Sequence, residues 1–407
     1  MRNLESMKRM RQRIAGATQL TIGAGLGSLI AACTVDADPD QQTSAATEAS
    51  AQTDGEGSSD PGTTSNAPTD NTEGGGTTAS TSDGPIDPDD SGSDDETTIG
   101  GNEEGWMLVW SDEFDGDAID PTHWEHENNC WGGGNGEQQC YNDDPAGSFV
   151  ADGMLHIVAR NETTSGPAVN DDDPAYDPND TSATLPYASA RLRTRDMGDW
   201  RYGRIEVRAR LPYGQGTWPA IWMLPTARVY GGWAASGEID IMEAVNLGVE
   251  GEDRVYGTLH YGSYWPNNVH SGISTTLPDG ANPADDFHDY AVEWERGEIR
   301  WYLDDRHFAT QRQDGWYTQY TNEAGELVIG EGAAPFDESF HLILNLAVGG
   351  AWAGNVNAGG IDASVFPQEL TIDYVRVYRC SVDPKTGDGC DTIGDDFEVV
   401  PGHPPPG

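Results

Sequence analysis

The chain reads as all-β, an antiparallel β-sandwich, on three observations. Apolar and polar residues alternate with period two where Ile205, Val207, Ala209 and Leu211 are set against Glu206, Arg208 and Arg210. They do so again where Ile299, Trp301 and Leu303 alternate with Arg300 and Tyr302. Short apolar runs are separated throughout by glycine, proline and aspartate. No stretch sustains a helical period and no internal repeat is visible, and many short strands without helices pack best as two sheets face to face.

Taken in order, residues 1–33 read as an export signal. Arg2, Lys8, Arg9, Arg11 and Arg13 make a basic start, and a weakly apolar run from Ile14 ends in Leu29-Ile30-Ala31-Ala32-Cys33. That run is too weakly apolar for a membrane span. Small residues before Cys33 resemble a bacterial lipobox, which implies lipidation of Cys33 and a membrane contact through the acyl chains alone. A generic secretion signal cut elsewhere is the alternative. The expected location is therefore the bacterial cell envelope or surface, or otherwise the medium.

Residues 34–104 are Ser, Thr, Gly, Pro, Asp and Glu with almost no large apolar side chain. Such a segment cannot offset its ordering entropy, so a disordered, self-repelling linker is expected. No Lys or Arg occurs from Thr34 through Ala159, and the net charge is −47. That field excludes nucleic acid as a partner and disfavours strongly sulfated polysaccharides. The remaining length suits one large domain, taken as 105–380, with a stub and flexible tail at 381–407, in a protein expected to be monomeric.

Within that domain the most informative strand is Gly237-Glu238-Ile239-Asp240-Ile241-Met242-Glu243, three carboxylates among apolar residues. Burying ionised groups without partners is costly, so acids in such a strand mark a candidate site. Strict alternation puts Glu238 and Asp240 on one face and Glu243 on the other. One extra residue in a β-bulge around Ile241 and Met242 resets the alternation and gathers all three. Two carboxyls so placed suit the separation of roughly 5 to 5.5 Å that retaining glycoside hydrolysis requires. Asp240 can hydrogen-bond Glu238 and help keep opposite protonation states in the cluster. The spacing alone leaves a solvated outer face or a calcium site open as alternatives.

The seven-residue stretch closely resembles the catalytic signature of glycoside hydrolase family 16 in its bulged form. Further segments resemble that family in order: residues 107–116 (Met-Leu-Val-Trp-Ser-Asp-Glu-Phe-Asp-Gly), 202–210, 216–224, 257–262, 345–350 and 372–378. Together they run across roughly 104–380. Within the family the bulged motif, the His260 segment and Asn135-Gly136-Glu137-Gln138-Gln139 look most like laminarinases, the endo-β-1,3-glucanases.

The resemblance implies a jelly roll with a concave substrate cleft, and retaining endo-hydrolysis of β-1,3-glucan or mixed β-1,3/1,4-glucan without a catalytic cofactor. It implies Glu238 as nucleophile, Asp240 as its assisting acid and Glu243 as general acid/base. Asn135, Arg191, Trp218, Trp222 and His260 match positions lining the glucan cleft. For each there is a plainer reading: core packing for the tryptophans, an interior histidine for His260 and a solvated basic strand face for Arg191. Gly136 stands where the family usually has a second asparagine, and Cys140 where an aromatic is common. A structural Ca2+ is implied on Glu113, the backbone carbonyl of Gly153 and Asp373, with charged strand ends as the alternative. A β-agarase or other galactan hydrolase of the same family is the rival enzyme. A non-catalytic glucan-binding protein is the rival from another class, although such a protein has little reason to keep three acids.

Of the five cysteines, setting Cys33 aside leaves two equally spaced pairs, and in an exported chain these imply disulfides. The local pairings Cys130–Cys140 and Cys380–Cys390 are expected because short loops close most readily. Zinc binding is disfavoured by the spacing. The insertion from about Asn161 to Pro186, with Asp171-Asp172-Asp173-Pro174, is expected to be a mobile acidic loop near the cleft rim.

Overall fold

The period-two strands build two large antiparallel sheets in a computed structural model that describes residues 105–406. The signal expected at 1–33, with Cys33, and the linker expected at 34–104 lie outside the described residues. One sheet runs in the order Val269–Thr276, Arg254–Tyr261, Glu238–Glu243, Thr217–Pro225, Phe340–Val348, Arg191–Arg193 and Glu125–His126. The facing sheet is built around Gly203–Arg210, which pairs with His288–Glu295 on one side and with the long strand Gln368–Cys380 on the other. The alternation read from sequence sends Ile205, Val207, Ala209, Ile299, Trp301 and Leu303 into the core, where they meet Ile221, Met223, Ile239, Leu259 and Leu344 of the acid-bearing sheet. Among the described residues the only α-helix is the single turn Gly350–Ala353.

Two glycines set the acidic strand in place. Gly237 enters it at φ +86°, where a side chain would be strained and its Cβ would press on Phe336, Pro335 and Phe340 at 3.0–3.2 Å. On the neighbouring strand, a Cβ at Gly257 would lie 2.4 Å from the indole of Trp301. That close approach lets Trp301, from the facing sheet, donate its Nε1–H to the Asp240 carbonyl at 2.8 Å. The pairing register shifts between Asp240 and Glu243, so a buried indole braces the backbone beside the shift.

Both disulfides form as expected, Cys130–Cys140 and Cys380–Cys390. Two segments differ from expectation. The tail expected to be flexible after the disulfide stub is hydrogen-bonded to the sheet: Glu398–Val400 adds in parallel to Arg306–Arg312, and His403 N donates to Gly315 O at 2.8 Å. Upstream of it, the fully buried Glu293 accepts hydrogen bonds from Trp106, Arg204, Tyr302 and both the backbone and side chain of Thr392. The acidic insertion is pinned instead of free. Asp171 accepts from Asn128 N and Asn129 Nδ2, and Asp172 pairs with Arg193, Arg195 and Arg228.

The residues expected to hold calcium do not make a cation cradle as they are placed. Arg376 donates through Nε and Nη2 to both oxygens of Glu113, and Arg208 Nε lies 3.3 Å from Asp373. Each carboxylate is thus neutralised by a guanidinium where a hard cation needs free oxygen ligands. Adding Ca2+ to chelator-treated protein is expected to leave the melting temperature unchanged. A rise would show that calcium displaces the arginines.

Candidate active site

The bulge expected from spacing is present. Against Thr217–Pro225, Trp222 pairs with Asp240 and Ala220 with Glu243, with the register shifting between Ile221 and Trp222. Ile239, Ile241 and Met242 all turn into the core, which leaves Glu238, Asp240 and Glu243 on the opposite wall. Burial pushes all three carboxyls up to about 8; the charge of Asp240 adds to the effect on the two glutamates. The two glutamates are differently held. Glu238 accepts a hydrogen bond from Trp233 Nε1 at Oε2, 2.7 Å, and its Oε1 lies 3.7 Å from His260 Nε2. Glu243 accepts from Trp218 Nε1 at Oε1, 2.9 Å.

Of the residues expected around the acids, Trp218 therefore touches one directly and His260 borders two, its Nε2 also lying 3.4 Å from Asp240. Trp222 donates to Asn345 at 2.7 Å. Arg191 is no solvated face: it is buried, lies 3.3 Å from Glu127 and stacks its guanidinium 4.6 Å from the centre of the Trp222 ring. It backs the aromatic wall. Asn135 is exposed on the turn closed by the Cys130–Cys140 bond and donates to Glu137 at 3.3 Å.

Three further residues, not marked by the family-like segments' site positions, take part. Trp233 sits just before the acidic strand, 42 % exposed, and holds the Glu238 carboxylate; beside it Trp265 is 61 % exposed and donates its backbone N–H to the Trp233 carbonyl at 3.0 Å. Together they present flat apolar surface at the rim, the kind of platform a sugar face requires. Glu137 is a buried hub that accepts from Asn135, Gln139 and Tyr141, and Tyr141 in turn accepts from Asn345 Nδ2. The disulfide-closed turn is thereby wired to Trp222. The position of Trp233, immediately upstream of the acids in an otherwise small-residue turn, is the one signal that could have marked it.

This arrangement can bind a sugar chain against indoles, attack with one carboxylate and exchange a proton with another. The profile of Glycosyl hydrolases family 16 matches residues 162–337. The glucan endo-1,3-beta-glucosidase A1 of Niallia circulans is 42% identical over 284 residues, 68% of this chain but only 38% of that protein's length. The beta-glucanase of Rhodothermus marinus is also 42% identical over 284 residues, covering 67% of this chain and 85% of the relative. The X-ray structure of the laminarinase from Rhodothermus marinus superposes with a TM-score of 0.53 at 40% identity, over 68% of this chain and 98% of that one.

Proposed function

Since the chain belongs to glycosyl hydrolases family 16, we propose that it is an endo-acting hydrolase of β-1,3-glucan working by double displacement with retention. The observation that carries this reading is the bulged strand, which sets Glu238 and Glu243 on one wall with different hydrogen-bond partners. Trp233 occupies Oε2 of Glu238, so Oε1 is the oxygen that attacks the anomeric carbon. Trp218 occupies Oε1 of Glu243, so Oε2 carries the proton given to the leaving sugar and later takes one from water. Asp240, buried beside Glu238, opposes ionisation of its neighbours and helps hold that proton in place. No step requires a metal or organic cofactor.

The names of the relatives support β-1,3-glucan as substrate, and the net charge of −47 suits a neutral polysaccharide. Product analysis on laminarin, lichenan and agarose tests this. Laminarin is expected to yield short oligosaccharides with the β-anomer formed first, and agarose none. Cleavage of agarose alone would establish the galactanase reading, and binding without products the non-catalytic one.

Export and lipid anchoring at Cys33 are supported by the basic start and the small residues before that cysteine. Cys33→Ser is expected to move the enzyme from the membrane fraction to the soluble fraction on immunoblots. Unchanged membrane retention would count against the anchor.

A further inference from the structure

We propose that Glu238, Asp240 and His260 form a site for a divalent transition-metal ion of borderline softness, with Zn2+ as its representative, and that the bound ion plugs the glucan cleft. One donor atom from each of the three residues lies within 4.8 Å of the others. His260 Nε2 stands 3.7 Å from Glu238 Oε1 and 3.4 Å from Asp240 Oδ2. Zinc bonds of about 2.0–2.2 Å at tetrahedral angles place neighbouring ligand atoms roughly 3.3–3.5 Å apart. The imidazole is thus already close to ligand spacing from both acids.

The donors are also uncommitted. Asp240 is only 2% exposed, yet its Oδ2 has no hydrogen-bond partner. The indole of Trp233 engages Oε2 of Glu238 and leaves Oε1 facing His260. The imidazole is flanked by the rings of Trp233 and His270, at 5.6 and 5.4 Å between centroids, which steady its plane.

One nitrogen and two carboxylate oxygens, with the fourth position open to water, is a donor set suited to zinc. Calcium takes six to eight oxygens and magnesium a near-ideal octahedron, so neither fits. Because Oε1 of Glu238 is the oxygen that must reach the sugar, an ion held there and a productively bound glucan exclude each other. Zn2+ is therefore a competitive inhibitor, released by a chelator.

The test is calorimetric titration of chelator-treated full-length protein with Zn2+. Wild type and Glu243→Gln are each expected to bind one ion, since Glu243 lies outside the trio. His260→Gln and Asp240→Asn are each expected to weaken binding by at least about tenfold, with circular dichroism confirming that the variants are folded. Independently of any variant, Co2+ in the wild-type protein is expected to show the visible absorption of a tetrahedral site. Saturating the hydrolysis-deficient Glu243→Gln protein with laminarihexaose is expected to weaken Zn2+ binding by a similar factor. The proposal is overturned by absence of binding below millimolar Zn2+, by unaltered binding to folded His260→Gln, or by unaltered binding in the hexaose-saturated protein.

Discussion

Glu238→Gln is expected to lower kcat on laminarin by at least about 10⁴-fold while leaving glucan binding nearly unchanged. The amide matches the carboxylate in shape and can still accept the Trp233 indole hydrogen bond, so the cleft keeps its form. What is lost is the negative oxygen that must form the glycosyl-enzyme. Steady-state kinetics with calorimetry of laminarihexaose binding separates the two effects. Full turnover by this variant would remove Glu238 from the reaction, whereas loss of binding together with activity would make its role one of shape.

Glu243→Gln is expected to lower kcat by about 10²- to 10⁴-fold, the usual contribution of a positioned proton donor. It is also expected to abolish the alkaline limb of the pH profile. In the wild-type protein burial pushes Glu243 up to about 8, with the Asp240 charge acting in the same direction, so the acid form persists through neutral pH and activity declines as pH passes that value. Glu238 feels a similar burial, and on each glutamate an indole hydrogen bond and His260 favour the charged form. The two carboxyls are coupled, the charge of Glu243 acting to raise Glu238, so the pair gives up its protons in two steps. The same shift has a sign for stability. A carboxyl whose pKa is raised in the folded state contributes stability that is complete below the unfolded value of 4.5 and is lost as pH rises towards about 8. The melting temperature of wild type should therefore fall more steeply across that interval than that of Glu243→Gln. A pH–rate profile with the same alkaline limb in both proteins would place the proton donor elsewhere.

The acidic strand is legible in sequence because two periodicities collide there. Ile239 fits strict alternation, but Glu243 can join its fellows only if Ile241 and Met242 both turn inward, and they do. The alternation of Gly203–Arg210 and Glu298–Leu303 is equally local and equally readable. What sequence leaves hidden depends on residues distant along the chain. Asp172 reads as part of a mobile acidic run, because the arginines that hold it, Arg193, Arg195 and Arg228, reach it only after the sheet has formed. The Glu398–Val400 strand is too short to show a period, and its partner Arg306–Arg312 lies far upstream. For Arg191 a solvated strand face stays open beside the cleft position, because nothing near it in sequence announces the ring of Trp222. Glu137 stands in a segment already recognised as family-like, yet its connection to Asn345 through Tyr141 is visible only in three dimensions.

The short parallel strand at Glu398–Val400 has a bearing on how the protein keeps to itself. It lies at the end of its sheet and occupies the outer hydrogen-bonding side of Arg306–Arg312. Proteolytic trimming at the family-like boundary near Cys380 would bare that side and take Thr392 away from the buried Glu293. A bared strand offers its N–H and C=O groups to any neighbouring chain, so stacking of trimmed molecules strand to strand is the expected outcome.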